Sequence, residues 1–462
     1  MAPKFGTSGL RGLVAELTDT LCARYTLAFL GGTAPSGTVL LGGDLRPSTR
    51  QHLRAVAAGA RAAGVTPVDC GAVPTPALAL EALRQGAPAI MITGSHIPAD
   101  RNGLKFYTKT GEITKADETA INDRLADWHG PLDLSEPAPI DGVADRYIAR
   151  FTDFFGPHAL QDRRIGVYEH SAVGRDHLGT VLRALGATVT SLGRSDHFIP
   201  VDTEAVDDAT RCQLRAWAKA DDLDAIVSLD GDSDRPLVSD ANGRVIVGDV
   251  IGALSARYLG ARVIVTPVSS NTMIETMDFD RIIRTRIGSP FVIEGIEQAL
   301  ADDAATRVVG YEANGGFLTG TPIDGANRRL SPLMTRDAFL PIICALAGIG
   351  DHGPLADQLV ALPARRTAAD RLVGLPTETS AALVAGLVEN PEKRATLFAH
   401  LGAETELDLT DGVRVRFASG DIVHLRPSGN APELRCYAEA TTQQRADDIV
   451  RTILGDIAAR YA

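Results

Sequence analysis

The sequence predicts an α/β protein of several domains that ends in a smaller α+β domain. Three observations predict it. At 462 residues the chain exceeds what one hydrophobic core ordinarily serves, so several domains of roughly 100 to 200 residues are expected. Over most of its length, short β-branched runs lead into Gly- or Asp-rich loops and then into helical stretches, the alternation of α/β units with parallel strands. Over residues 412–440 the pattern changes to successive alternating strands with Gly-containing turns.

The units follow in order. TVLLGGDLRPSTRQHLRAVAAGARAAG (38–64) reads as strand, loop and helix, and APAIMITGSHIPADRNG (87–103) as strand and loop. DRRIGVYEHSAVGRDHLGTVLRALGATVTSLG (162–193) gives strand, loop, helix and strand, and DDLDAIVSLDGDSDRP (221–236) a strand ending in a polar loop. Helical material is expected in PLADQLVALPARRTAADRLV (354–373), punctuated by Pro363, and again over 442–458. These elements divide into four domains, 1–140, 141–246, 247–360 and 361–462. No low-complexity segment or long linker separates them, so they are expected to pack together. Ligands of open α/β sheets gather outside the carboxyl ends of the strands, which directs attention to the loops.

Composition narrows the function. The 45% hydrophobic and 23% charged fractions are those of a soluble globular protein, and no apolar run reaches the roughly 18 residues of a membrane helix. The start lacks a basic segment followed by an apolar one, and the five cysteines have neither metal nor redox spacing, so a cytoplasmic protein without a membrane partner is expected. A formal net charge of -12 argues against general nucleic-acid or anionic-lipid binding. Small anionic substrates remain open, because local arginines can reverse the field in a cleft.

Five loops carry candidate chemistry. DGDSDRP (230–236) sets Asp230, Asp232 and Asp234 at alternating positions after a strand, expected on one side of an extended loop as an all-oxygen site for a divalent cation. An EF-hand is excluded, since its sixth position would be Arg235 and its twelfth Ala241. Three ligands leave room for a phosphate oxygen and water, which favours Mg2+ over Ca2+. FGTSGLRG (5–12) joins glycines and hydroxyls to Arg11, and reads equally as a turn with an incidental arginine. RPSGNAPELR (426–435) sets Arg426 and Arg435 around Ser428, Gly429 and Asn430, donors suited to a phosphate. GYEANGGFLTG (310–320) offers Glu312 and Asn314 for sugar hydroxyls, though such turns are common.

MITGSHIPADRNGLKFY (91–107) poses the sharpest question. Ser95 and His96 are neighbours without a G-x-S-x-G elbow, and side chains following a strand are expected to diverge, so His96 reads as a phosphate donor rather than the base for Ser95. Pro98 favours an extended Ile97, and Asn102-Gly103 is expected to form a tight turn returning Lys105, a candidate proton carrier, to the loop.

Together the motifs FGTSGLRG, TGSHIP, DGDSDR, YEANGG and RPSGNAPELR, in this order across essentially the whole chain, resemble the α-D-phosphohexomutase family. The resemblance implies three related α/β domains with mixed sheets plus a C-terminal α+β domain around a central active-site cleft. It implies that Ser95 carries a phosphoryl group, that the phosphoserine with Asp230, Asp232 and Asp234 holds Mg2+, and that Arg11, His96 and Lys105 assist transfer, Lys105 as general acid and base. Arg235 would lie near the phosphoryl group, Glu312 and Asn314 would read sugar hydroxyls, and Arg426, Ser428, Gly429, Asn430 and Arg435 would clamp the unreactive phosphate. The implied isomerase interconverts hexose 6-phosphate and hexose 1-phosphate through a hexose 1,6-bisphosphate, as a monomer or small homo-oligomer.

This sequence departs from the family pattern at Asn314 (usually serine), Gly316 (often histidine), Asn430 (commonly threonine) and Ser289 (histidine in some members). These departures bear on the choice of hexose. Mannose phosphate is the expected substrate, with phosphoglucomutase and phosphoglucosamine mutase activities as alternatives. A sugar-phosphate phosphatase and a non-catalytic sugar-phosphate sensor are the readings outside the mutases.

Overall fold

A computed structural model describes residues 3–6, 9–32, 37–325, 328–428 and 432–461. Three of its sheets repeat one topology. In the first, Thr38–Gly43, Thr66–Ala72 and Ala89–Ile92 run parallel, and Arg101–Thr108 and Leu10–Leu13 continue antiparallel. The second places Arg164–Tyr168, Thr188–Leu192 and Ala225–Leu229 parallel, then Pro236–Asp240 and Val245–Ile246 antiparallel. In the third, Val263–Pro267, Arg281–Thr285 and Val308–Tyr311 are parallel, and Phe317–Thr319 and Leu333–Asp337 antiparallel. Each time a short loop joins the last parallel strand to the first antiparallel one. Those three equivalent loops carry Ser95, the aspartate cluster and Glu312.

The parallel strands AIMI, AIVSL and VIVTP are buried at every position, which is why they read as continuous apolar runs rather than as alternations. Successive residues still point to opposite faces. Leu40 and Met91, Val227, and Ile264 and Val309 enter one core shared by the three units, together with the helix Phe339–His352. Their sequence neighbours Leu41 and Ile90, Ile226, and Val265 and Val308 face separate cores on the other side of each sheet. The C-terminal sheet is antiparallel throughout, and its separate core is closed by the helix Gln443–Tyr461. This is the expected α/β and α+β architecture with mixed sheets.

One expected element differs. The helix in 354–373 stops at Leu355–Ala361, and Arg366–Val373 is an edge strand paired along its whole length with Glu433–Ala440. Nothing local in RTAADRLV demands a strand; pairing with a distant segment supplies its backbone partners. Among the described residues no single helix is long and apolar enough to cross a membrane.

Candidate active site

The aspartate loop is a tight turn rather than the extended segment expected from alternation. Ser233 N–H donates to the Asp230 carbonyl at 3.1 Å, and Ser233 sits in the left-handed region with φ 61°. The turn draws ligand oxygens of Asp230, Asp232 and Asp234 within 4.8 Å of one another, all three side chains buried. Burial and the two neighbouring carboxylates push the Asp230 carboxyl well above its usual range. At Asp234 burial opposes ionisation, but Arg336 and Lys105 outweigh it and hold the carboxyl below that range. Asp232 Oδ1 and Asp234 Oδ1 are buried without a hydrogen-bond partner. Orphaned carboxylate oxygens beside a hard all-oxygen donor set fit a divalent metal ion.

Ser95 closes this cluster from the first unit. Its Oγ donates to Asp230 Oδ2 at 2.6 Å and lies 3.3 Å from His96 Nδ1. The expected divergence of the two side chains fails because Ser95 has φ 54°, which breaks the strand alternation. His96 Nδ1 also lies 3.0 Å from Arg235 Nη1. Burial and Arg235 lower the imidazole pKa well below its usual value, so His96 is neutral and Nδ1 accepts from Arg235. Gly231 permits the approach of the two loops: a Cβ there would meet the Ser95 carbonyl oxygen at 2.6 Å.

Lys105 reaches the site by a different route from that expected. Asn102 and Gly103 form no turn; they lie inside the strand Arg101–Thr108, which pairs on both sides. The reversal occurs earlier, where Arg101 N–H donates to the Pro98 carbonyl at 3.1 Å. Pairing of Asn102 and Gly103 with Gly12 and Arg11 of the strand Leu10–Leu13 overrides the turn preference of Asn-Gly. Lys105 Nζ then donates to Asp232 Oδ2 and Asp234 Oδ2 at 2.5 and 2.7 Å. Arg11, on the neighbouring strand, feels Arg235, Asp232 and Asp234, and burial and Arg235 lower its pKa to about 10.

Comparison with known proteins decides the family. Descriptions of phosphoglucomutase/phosphomannomutase alpha/beta/alpha domain I, alpha/beta/alpha domain III and C-terminal domain match residues 2–129, 247–365 and 383–455. Two proteins named phosphomannomutase are 44% identical to the chain: that of Sinorhizobium fredii over 97% of this chain and 98% of its own, and that of Salmonella muenchen over 99% and 96%. The chain belongs to the phosphoglucomutase/phosphomannomutase family. A crystal structure of a family protein from Burkholderia thailandensis shares the fold at TM-score 0.75 and 21% identity, covering 97% of this chain and 96% of its own.

The rest of this phosphohexomutase's candidate site spans the third unit and the C-terminal domain. Glu312 and Asn314 are buried in a turn closed by Gly315 N–H on the Glu312 carbonyl at 2.9 Å, and Asn314 Oδ1 accepts Gly316 N–H at 2.9 Å. Arg426 and Arg435 face one another across the antiparallel ladder Ile422–Pro427 with Glu433–Ala440, and Ser428 N–H donates to the Glu433 carbonyl at 3.0 Å. Arg435 leans on Glu433 at 2.9 Å, while Arg426 Nε is 3.6 Å from Asp411, which also accepts Ile287 N–H. Opposed arginines repel, and an anion between them relieves the repulsion. Gly429 and Asn430 lie outside the described residues.

Thus Ser95, His96, Lys105, Arg235 and the three aspartates form one bonded cluster. Among the described residues Glu312 joins it through Arg336, and Arg426, Ser428 and Arg435 stand on their own domain. Two further buried arginines, Arg46 and Arg336, belong to the site without a motif to mark them. Arg46 sits in GDLRPS, the loop after the strand Thr38–Gly43, and Arg336 follows LMT in a strand. The Asp44–Arg46 spacing was the available signal for the first; none marks the second.

Proposed function

We propose that this phosphohexomutase is a phosphomannomutase that interconverts mannose 6-phosphate and mannose 1-phosphate through a phosphorylated Ser95 and a hexose 1,6-bisphosphate. The observation that carries the reading is the Ser95 hydroxyl, 2.6 Å from Asp230 and beside two buried aspartate oxygens that make no hydrogen bond. A phosphoryl group on that hydroxyl brings negative charge to carboxylates that already repel one another, so the arrangement calls for a cation. Mg2+ would be held by Asp230, Asp232, Asp234 and the Ser95 phosphate, and when bound it neutralises charge on the phosphoryl group.

The chain's own residues supply the rest. Lys105 gives and takes the proton of the reacting sugar hydroxyl, Arg11, His96 and Arg235 donate to the phosphoryl oxygens, and Glu312 and Asn314 hold sugar hydroxyls. Arg426, Ser428, Gly429, Asn430 and Arg435 clamp the phosphate that is not reacting, first at one end of the sugar and then at the other. Domains at 1–140, 141–246, 247–360 and 361–462 accord with the residue spans of the four large sheets. A cytoplasmic setting accords with five free cysteines and hexose phosphate substrates, and the chain would act there as a monomer or small homo-oligomer. The 44% identity to proteins named phosphomannomutase supports mannose over glucose or glucosamine.

Intact-mass measurement is expected to find part of the purified protein heavier by one phosphate, with Ser95→Ala lacking that species and nearly all activity. A fully active Ser95→Ala enzyme refutes the phosphoserine. A higher kcat/KM for glucose or glucosamine 1-phosphate than for mannose 1-phosphate refutes the sugar assignment.

A further inference from the structure

We propose that Arg336 is the positioning residue that ties the sugar loop to the metal loop, and that residue 316 is glycine because Arg336 fills the space of a side chain there. The inference rests on the phosphohexomutase reading given above. Arg336 lies on the strand Leu333–Asp337 and is 2% exposed. One edge of its guanidinium faces the metal loop, with Nε and Nη2 3.0 and 2.9 Å from Asp234 Oδ2. Its other nitrogen, Nη1, lies 3.2 Å from Glu312 Oε2 and 3.5 Å from Ser289 Oγ. Ser289 Oγ in turn donates to Glu112 Oε2 at 2.7 Å, and Thr335 Oγ1 to Glu112 Oε1 at 2.5 Å. A single side chain therefore meets residues of the second and third units, and through Ser289 reaches the first.

Two geometric consequences follow. Asp234 presents one oxygen to Arg336 and Lys105, which leaves the other, Oδ1, without a hydrogen bond, 3.8 Å from Arg235 Nε, and open to a metal. Glu312 is held by a cation of fixed planar shape, so its remaining acceptor capacity is aimed rather than free to rotate. The arginine stem runs against the sugar loop: a Cβ on Gly316 would meet Arg336 Cδ at 2.5 Å, Cγ at 2.6 Å and Cβ at 3.0 Å. Gly316 has no positive φ, so space and not backbone conformation excludes a side chain. A side chain at 316, such as the histidine the resemblance would suggest, and Arg336 in its present place exclude one another.

A double-mutant cycle tests the coupling. Gly316→Ala is expected to lower kcat/KM for mannose 1-phosphate by about tenfold or more, mostly through KM, as is Arg336→Ala, each by disturbing a charged hydrogen bond to Glu312. The double variant is expected to lie within about twofold of Arg336→Ala, because the methyl group added at position 316 then meets no arginine stem. Calorimetric titration of mannose 1-phosphate into each variant in a Ser95→Ala background reads the same cycle without turnover. Costs that multiply in the double variant, or a neutral Gly316→Ala, overturn the proposal. If Arg336→Ala does not fold, as judged by circular dichroism, Arg336→Lys serves: one ammonium cannot span Asp234 and Glu312, so a KM raised about tenfold supports the proposal and an unchanged KM overturns it. Failure of the underlying reading looks different, since the unmodified protein would then neither bind nor interconvert hexose phosphates.

Discussion

Replacement of Arg46 by lysine tests how the Ser95 loop is held. All five guanidinium N–H donors are used: Nε donates to Asp44 Oδ2 at 3.2 Å, Nη1 to the Pro98 and Arg101 carbonyls at 2.6 and 2.9 Å, and Nη2 to the Ser95 and Ile97 carbonyls at 2.8 and 2.5 Å. The ring of Phe198, from the second unit, lies 4.0 Å from the guanidinium carbon. Lysine brings three donors on one atom, so at least two acceptors lose their partner. At about 1.5–3 kcal/mol for each hydrogen bond to a charged group, the loss is about 3–6 kcal/mol. The same loop holds Ser95 at φ 54°, a conformation that costs a non-glycine residue about 1–3 kcal/mol. The loss therefore exceeds the strain it helps to maintain, and the loop is expected to relax and carry Ser95 out of line. A displacement of about 1 Å lowers transfer by about 100-fold. Steady-state kinetics should show kcat reduced by about that factor with KM changed less than about threefold, and intact mass should show slower phosphorylation of Ser95 by the bisphosphate. A kcat within about threefold of the unmodified enzyme, with Ser95 fully phosphorylated, would refute the argument.

Three further outcomes are expected. Arg435→Ala should raise KM for the sugar phosphate by about tenfold or more, with a smaller change in kcat, because it removes one of two arginines opposed across the ladder; an unchanged KM would exclude Arg435 from the clamp. Chelation should abolish mutase activity and Mg2+ restore it, while activity persisting in excess chelator would argue against a metal among the three aspartates. His424 in the C-terminal domain is kept neutral by burial, partly offset by the Asp411 carbonyl, and its pKa falls to about 4 from 6.5. Between those values the unfolded chain binds the proton and the folded chain does not, so stability is full above pH 6.5 and falls on acidification towards pH 4, by up to about 3 kcal/mol. Denaturant titrations between about pH 7 and about pH 4.5, spanning the unfolded-state histidine pKa, should show a shallower fall for His424→Gln; an unchanged slope would assign the acid lability elsewhere.

The parallel strands were legible because burial on both faces makes them continuous β-branched runs, and the aspartate loop because three carboxylates so close together need a counter-charge. The path of Lys105 was not. Asn-Gly is a turn signal by local preference, yet residues 102 and 103 pair with Gly12 and Arg11 of the strand Leu10–Leu13, and nothing near them in the chain announces that distant partner. The same cause hid the strand Arg366–Val373, whose partner strand begins only at Glu433, far along the chain.

By itself the sequence determined which residue types stand at the carboxyl ends of the strands, and hence a hydroxyl, a carboxylate triad, a Glu-x-Asn turn and an arginine pair in fixed order. Those are local properties, set by strand periodicity and by the chemistry of a few adjacent side chains. Only the tertiary structure decided that three of the loops are equivalent positions of one repeated topology, so that stacking the units brings Ser95 to Asp230 across 135 positions of chain. It also decided that Arg46 and Arg336 are structural cations of the site. An arginine in a sequence has no marked destination; its five donors are assigned only when folding buries it among acceptors contributed by several segments, where leaving them unpaired would be costly.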